Sequence, residues 1–394
     1  MGVVTGLDII KDGKDWNDKF PGKIGYLAHA ASVDCQFRHG ISIFKQQFGD
    51  QFIKIFSPQH GLVGDVQDNM IESDHFQHPY FKLPVYSLYS ETRKPSPKML
   101  EGLDHVFIDL QDVGTRIYTY IYTMTYMMEA CAELGIEVVV LDRPNPIGGL
   151  EIEGNILDPE FSSFVGRHRL PMRHGMTIGE VAWMAKECWG INCRLQVIKM
   201  QRWERPMYFQ HSGLPWVLPS PNLATPEVTI VFPGTVLFEG TNVSEGRGTT
   251  RSLEIIGHPG IEPYGWLGML NSLFDDLSLN GFVLRPVNFI PTFQKHQGKV
   301  CGGYQIHPTD LHKFRPWKVG QVLCKAFYTK LGEKFQWKLP PYEYEYEKMP
   351  IDILNGTDQL RTWIENDGDI EELLEIESKG RPEFEKQRSS VLLY

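Results

Sequence analysis

The chain has 394 residues, 42% of them hydrophobic and 22% charged. That is beyond the size at which one core suffices, so two domains are expected and a disordered chain or a mini-protein is excluded. A net charge of −10, from 39 basic and 49 acidic residues with no Lys/Arg cluster, would repel a phosphate backbone and argues against nucleic acid as a partner. No apolar run approaches the roughly 20 residues that cross a bilayer, so no membrane span is expected.

In the first half, apolar β-type runs alternate with helical patterns. Lys23 to Ala28, Phe52 to Phe56, His105 to Leu110 and Ile136 to Leu141 read as buried strands. Between the last two, Ile117, Ile121, Met124, Met128 and Cys131 recur at three- and four-residue steps, with Thr115 as the expected start of a helix and Gly135 as its stop. This order predicts an α/β fold with a Rossmann-like parallel sheet. A second helix is expected after Thr177, where Thr177 and Glu180 form a capping box and so are set aside as structural. From about Gln201 the sequence turns Pro- and aromatic-rich, which suits a linker or cleft wall. The domain boundary is placed near Pro226, giving a Rossmann-like catalytic domain over 1–226 and a smaller mixed α+β domain over 227–394 that completes the cleft. Within the latter, Gly303 to His307 reads as a strand and the acidic Gly368 to Ser378 stretch as a helix with a solvated face.

Six cysteines include no C-x-x-C pair, so no structural metal is expected; Cys188 and Cys193 could bridge across a helix end, or all six could be thiols.

Ligands of an open parallel sheet bind beyond the carboxyl ends of its strands, and all four predicted strands run into polar sequence there. The tails are His29, Ser57-Pro58-Gln59-His60-Gly61, Asp109-Leu110-Gln111-Asp112-Val113-Gly114-Thr115-Arg116 and Asp142-Arg143-Pro144-Asn145-Pro146. Helix caps and turns would account for any one of these; four on one edge point to a site. A second polar cluster, Phe238 to Arg251, has the glycines of a phosphate loop but matches neither the Walker nor the dinucleotide pattern. It supplies carboxylates for proton transfer and arginines able to hold a carboxylate. Glycosidic hydrolysis needs a proton donor and usually a second carboxylate, for which Glu72, Asp109, Asp112, Glu153, Glu239 and Glu245 are candidates. The competing chemistry is a hydrolytic metal site built from His29, His60, His174, Asp109 and Asp112, although no H-E-x-x-H or similar spacing occurs.

Six blocks carry a resemblance along nearly the whole chain: Ser57 to Gly61, Asp109 to Arg116, Leu141 to Pro146, Arg173-His174-Gly175-Met176-Thr177, Pro219-Ser220-Pro221-Asn222, and Glu239-Gly240-Thr241-Asn242 through Arg247-Gly248-Thr249. With these the chain resembles the NamZ family of exo-β-N-acetylmuramidases. The resemblance implies an active site in a cleft between two domains, no cofactor, and release of N-acetylmuramic acid from the non-reducing end of peptidoglycan fragments such as MurNAc-GlcNAc or a muropeptide. It also implies an exported enzyme, periplasmic or extracellular; the opening residues Met1 to Asp8 lack the basic and apolar regions of a leader, which leaves the cytoplasm open.

One departure from the family pattern matters. Where the family typically has Ser-Pro-Glu-His-Gly, with that Glu expected to be catalytic, this chain has Gln59, an amide that cannot exchange a proton at useful pH. An engineered change, a natural branch in which another carboxylate took over, and a protein that binds sugar without cleaving it are the three explanations. The segment Gln67-Asp68-Asn69-Met70-Ile71-Glu72-Ser73 favours the second, with Glu72 as expected acid and Glu239 as second carboxylate. Gln59, His60, Asp112, Arg116, Asn145, Glu153, His174, Asn222, Asn242, Arg247 and Arg251 are the expected substrate-binding residues, with Arg247 or Arg251 on the lactyl carboxylate.

Overall fold

Alternate residues of the central strands enter two different cores. In the computed structural model, which describes residues 2–64 and 71–394, the strands are β1 (Ile24–Ala28), β2 (Phe52–Ser57), β3 (Phe76–Gln77), β4 (Pro84–Ser87), β5 (His105–Asp109), β6 (Glu137–Leu141), β7 (Arg194–Ile198), β8 (Ile255–His258), β9 (Phe282–Phe289) and β10 (Cys301–Pro308). Leu27, Phe56, Val106, Ile108, Val138 and Val140 share a core with helices Tyr120–Leu134 and Ile178–Cys188. Tyr26, Ala28, Ile55, Phe107, Val139 and Leu141 share another with helices Gly6–Asp12 and Gly40–Phe48. Strands buried on both faces need continuous apolar sequence, which is why these four were legible as short apolar runs.

The seven-stranded sheet has the order β3-β4-β2-β1-β5-β6-β7. All its pairings are parallel except β3 with β4. The chain runs outward from β1 through β2 and β4, then returns to the other side of β1 for β5 to β7, so the reversal lies at β1 and β5. A smaller antiparallel sheet, β8-β10-β9, follows.

Local signals held in part. Thr177 and Glu180 form the capping box of helix Ile178–Cys188, and Gly135 closes helix Tyr120–Leu134 in the left-handed conformation at φ 68°. That helix starts at Tyr120 and not near Thr115, because Thr115 bridges to Arg173 and the Arg116 amide donates to the Met172 carbonyl. The acidic helix Ile370–Ser378 is mostly exposed, but Glu377 is buried between Lys318 and Arg381. All six cysteines are free, including Cys188 and Cys193.

The two parts of the chain share one apolar core, which continues from helix Tyr120–Leu134 into helices Pro226–Thr235 and Pro316–Leu331. The last two cross at Gly234 and Gly320, where a Cβ on Gly320 would lie 2.5 Å from the Gly234 Cα. Only glycine permits that approach.

Arg116 fastens the joint. Its fully buried guanidinium donates to the carbonyls of Asn155 (3.0 Å) and Leu170 (3.0 Å) on one side and of Leu354 (3.0 Å) and Asn355 (2.7 Å) on the other. Burial lowers its pKa to about 10. Each buried carbonyl left without a donor costs about 1–3 kcal/mol. Arg116→Met is therefore expected to destabilise the fold by at least about 3 kcal/mol, read as a lower urea midpoint; an unchanged midpoint would show that these bonds contribute nothing net.

Candidate active site

The tails of β2 and β5 meet the second domain around a small cavity of about 50 Å³. It is lined by Gln59 and His60 after β2, by Ile117, Tyr118 and Thr119 after β5, by Ser220, Asn222 and Leu223 of the Pro-rich segment, and by Glu239, Arg247, Tyr342 and Glu343. The Pro-rich segment is thus a cleft wall. It is tied to the sheet through the Pro219 carbonyl, which accepts from the Tyr120 hydroxyl at 2.6 Å and lies 3.4 Å from His29 Nδ1. His29 Nε2 accepts from the Gln111 amide at 3.0 Å; burial, with Arg143 nearby, holds its pKa well below the usual histidine value, so it is a neutral brace.

A larger cavity of about 970 Å³ adjoins the small one and shares Glu239, Arg247 and Tyr342 with it. Asn242, Lys295, Trp337 and Lys338 line it as well. The shared wall is built of buried charge. Arg247 lies 2.5 Å from Glu239 Oε1 and 3.1 Å from Glu245 Oε1, and Lys295 lies 2.7 Å from Glu245 Oε2. The Tyr342 hydroxyl donates to Glu239 Oε2 at 2.7 Å. Burial alone would raise the Glu245 pKa, yet Lys295 and Arg247 outweigh it and hold this carboxyl below its ordinary value. Burial also works against the Arg247 charge, and Glu239 and Glu245 again win, raising its pKa.

Glu343 has the opposite environment. It is 4% exposed, and burial pushes its pKa up to about 7, with nearby Glu239 adding to the rise and Tyr89, Arg93 and Gln59 opposing it. The Tyr89 hydroxyl donates to Glu343 Oε2 at 2.9 Å. Gln59 is hydrogen-bonded to the same carboxyl, while its own Oε1 accepts from the Thr119 hydroxyl at 2.8 Å; the amide nitrogen therefore faces Glu343. Tyr342 and Glu345 exchange backbone hydrogen bonds of 2.9 Å in both directions, and the two residues between them, Glu343 (φ 46°) and Tyr344 (φ 66°), have positive φ. This is the geometry of a type I′ turn, normally made by Asn-Gly. Holding Glu and Tyr there costs of order 1–3 kcal/mol per residue, a strain that concentrates at functional sites.

The expected site residues divide. Gln59, His60, Asn222, Glu239 and Arg247 line the small cavity, and Glu239, Asn242 and Arg247 line the large one. Glu72 lines neither: its side chain is 49% exposed, 3.1 Å from the Tyr344 hydroxyl and 3.8 Å from Arg93. The stretch from Gln67 to Met70 that leads to it lies outside the described residues. Asp112, Arg116, Asn145, Glu153, His174 and Arg251 also lie outside both cavities. Asp112 accepts from the Gly114 amide at 2.7 Å and sits 3.4 Å from His174. Asn145 braces a turn through the Ile147 amide and the Met176 carbonyl. Glu153 is buried and accepts from the Lys318 amide in the first turn of helix Pro316–Leu331. Arg251 is half exposed and lies 3.4 Å from Glu254. Asp109 is held by Arg143 at 2.5 Å and by the Tyr26 hydroxyl at 2.6 Å, away from both cavities. Among the described residues no group of three His, Cys, Asp or Glu is placed to hold a metal ion.

Sequence reasoning missed Glu343, Tyr342, Tyr89 and Thr119. The one signal for the first two was the run Pro340-Pro341-Tyr342-Glu343-Tyr344-Glu345, in which aromatic and acidic residues alternate after a proline pair.

Family models described as the N-terminal and C-terminal parts of the exo-β-N-acetylmuramidase NamZ match residues 24–227 and 230–394. The chain belongs to the NamZ family. It is 42% identical over 393 residues to the peptidoglycan β-N-acetylmuramidase NamZ of Bacillus subtilis (strain 168), an alignment that covers 100% of this chain and 91% of that protein. Two crystal structures of DUF1343 family proteins from Bacteroides fragilis NCTC 9343 share the fold. One aligns with a TM-score of 0.87 at 28% identity and the other with 0.73 at 26%, each over 100% of this chain and 99% of its own.

Removing one partner of a buried ion pair costs about 3–5 kcal/mol, whereas an exposed arginine contributes little. Arg247→Met is expected to show that loss in urea unfolding, and Arg251→Ala a change within about 0.5 kcal/mol. Equal, small effects of the two would mean that Arg247 is not what holds the two glutamates together.

Proposed function

We propose that this chain is an exo-acting glycosidase that releases N-acetylmuramic acid from the non-reducing end of peptidoglycan fragments. The observation that carries the reading is the 42% identity to a peptidoglycan β-N-acetylmuramidase over the full chain. The site supports it with the parts such a reaction needs. Two glutamates line one small cavity, one held by an arginine and a tyrosine and one with its pKa raised by burial. One carboxyl held in an ion pair and one enclosed by burial match the carboxylate and the proton donor that this hydrolysis uses.

In this reading the anomeric carbon of the terminal sugar sits in the small cavity. His60 and Asn222 contact that sugar, and the rest of the fragment extends toward the larger cavity past Asn242 and Trp337. Glu239, fixed by Arg247 and Tyr342, is the second carboxylate, facing the positive charge that develops at the anomeric carbon as the bond breaks. Its partners keep its side chain in one orientation, so no reorganisation is required during the reaction. A second reading, a sugar-binding protein without turnover, draws on Gln59, which stands where the resemblance noted above leads one to expect a Glu.

The test is turnover of MurNAc-GlcNAc with the released sugars identified. Free N-acetylmuramic acid is expected, with kcat lowered about 10²–10⁴-fold in Glu239→Gln. Saturable binding of the disaccharide without hydrolysis would favour the second reading.

A further inference from the structure

We propose that Glu343 is the group that protonates the glycosidic oxygen in this chain, and that Gln59 is a positioning residue that orients its carboxyl. The proposal rests on the glycosidase reading above and names a proton donor that the family signature at position 59 does not provide here.

Three independent features converge on Glu343. Its place is the first: it lines the same small cavity as Glu239 and is almost fully buried. The second is its backbone, a glutamate at φ 46° in a turn that ordinarily takes Asn-Gly. The third is its set of partners. Tyr89 and Gln59 hold the carboxyl from the sheet side, and Thr119 fixes the Gln59 amide so that its nitrogen faces it. An amide in contact with this carboxyl can orient it without competing for its proton, which a glutamate at position 59 would do.

The titratable and charged groups around Glu343 are Tyr89 and Arg93 on one side, Glu239, Arg247 and Tyr342 on the other, and His60 in the same cavity. Burial and Glu239 favour the neutral acid, while Arg93 and the bonds from Tyr89 and Gln59 favour the anion. The balance at about 7 leaves the acid form populated at neutral pH and lost as pH rises through that value. Glu72, open to solvent and beside Arg93, has no such enclosure.

The Glu343 proton moves to the oxygen between the two sugars while the bond from that oxygen to the anomeric carbon breaks, its electron pair staying on oxygen. The departing sugar leaves as an alcohol. Water supplies the oxygen that bonds to the anomeric carbon, and its proton replaces the one Glu343 gave up.

The experiment compares two substrates, MurNAc-GlcNAc and a muramide bearing a dinitrophenyl leaving group that departs without a proton. In a folded Glu343→Gln variant, kcat/KM on the disaccharide should fall about 10²–10⁴-fold while kcat/KM on the dinitrophenyl substrate, which reports bond cleavage without the need of a proton, falls less than about tenfold. The alkaline limb of kcat/KM near pH 7 should disappear with it. Gln59→Leu, which removes a bond favouring the anion, should move that limb to higher pH in the otherwise unchanged chain. Equal losses on both substrates, or near-normal turnover of the disaccharide by Glu343→Gln, would overturn the proposal for Glu343, and an unmoved limb in Gln59→Leu the one for Gln59. Turnover of neither substrate by the unaltered chain would overturn the glycosidase reading, and this one with it.

Discussion

Three buried charges, Glu239, Arg247 and Glu245, and the half-buried Lys295 form a chain of ion pairs, of which Glu239 and Arg247 line both cavities and Glu245 and Lys295 the larger one. Their positive and negative members balance, and removing one leaves an uncompensated charge in a largely desolvated row. The Lys295 ammonium also donates to the carbonyls of Phe238 (2.7 Å) and Val243 (3.1 Å), which fixes the backbone on both sides of Glu239. Glu239 therefore enters the cavity as a rigid, already paired carboxylate. Its charge, nearby and immobile, is one of the two influences that raise the pKa of Glu343. The contrast between the two carboxyls thus starts with the partners of one of them.

The sheet delivers the other half of the site. Because the strand order reverses at β1 and β5, the chain leaves these two strands in opposite directions at their carboxyl ends, and the crevice there, beside the tail of β2, is what an open parallel sheet offers a ligand. Here the crevice is closed from above by the second part of the chain, and Arg116 holds the two together through carbonyls from both. A residue expected to contact sugar is a structural fastener instead, which follows from physical chemistry: a guanidinium has five donors in a rigid fork and can satisfy several carbonyls as readily as one carboxylate.

What could be read from the sequence was what local patterning dictates. β1, β2, β5 and β6 are buried on both faces and so are written as apolar runs; β3, β4 and β7 are short or lie at or near the sheet edges, with exposed or mixed faces, and left no such trace. Gln59, His60 and Glu239 were found because they follow strands or sit in a dense polar cluster. Asp109, Asn145 and Glu153 looked equally functional, since a polar side chain that braces the fold and one that holds a substrate have the same one-letter code. Glu343 was out of reach for a different reason: its partner Tyr89 is 254 positions away, and a Pro-Pro-Tyr-Glu run does not announce a strained turn pointing into a cavity. The substitution at position 59 was visible; the carboxyl beside it was a property of the fold.

The most direct measurement is a crystal structure of this chain with N-acetylmuramic acid bound. The account predicts the sugar in the cleft, its anomeric hydroxyl within hydrogen-bonding distance of the Glu343 carboxyl and Glu239 facing the anomeric carbon. A sugar bound with its anomeric carbon away from both carboxyls, or bound elsewhere on the chain, would contradict it.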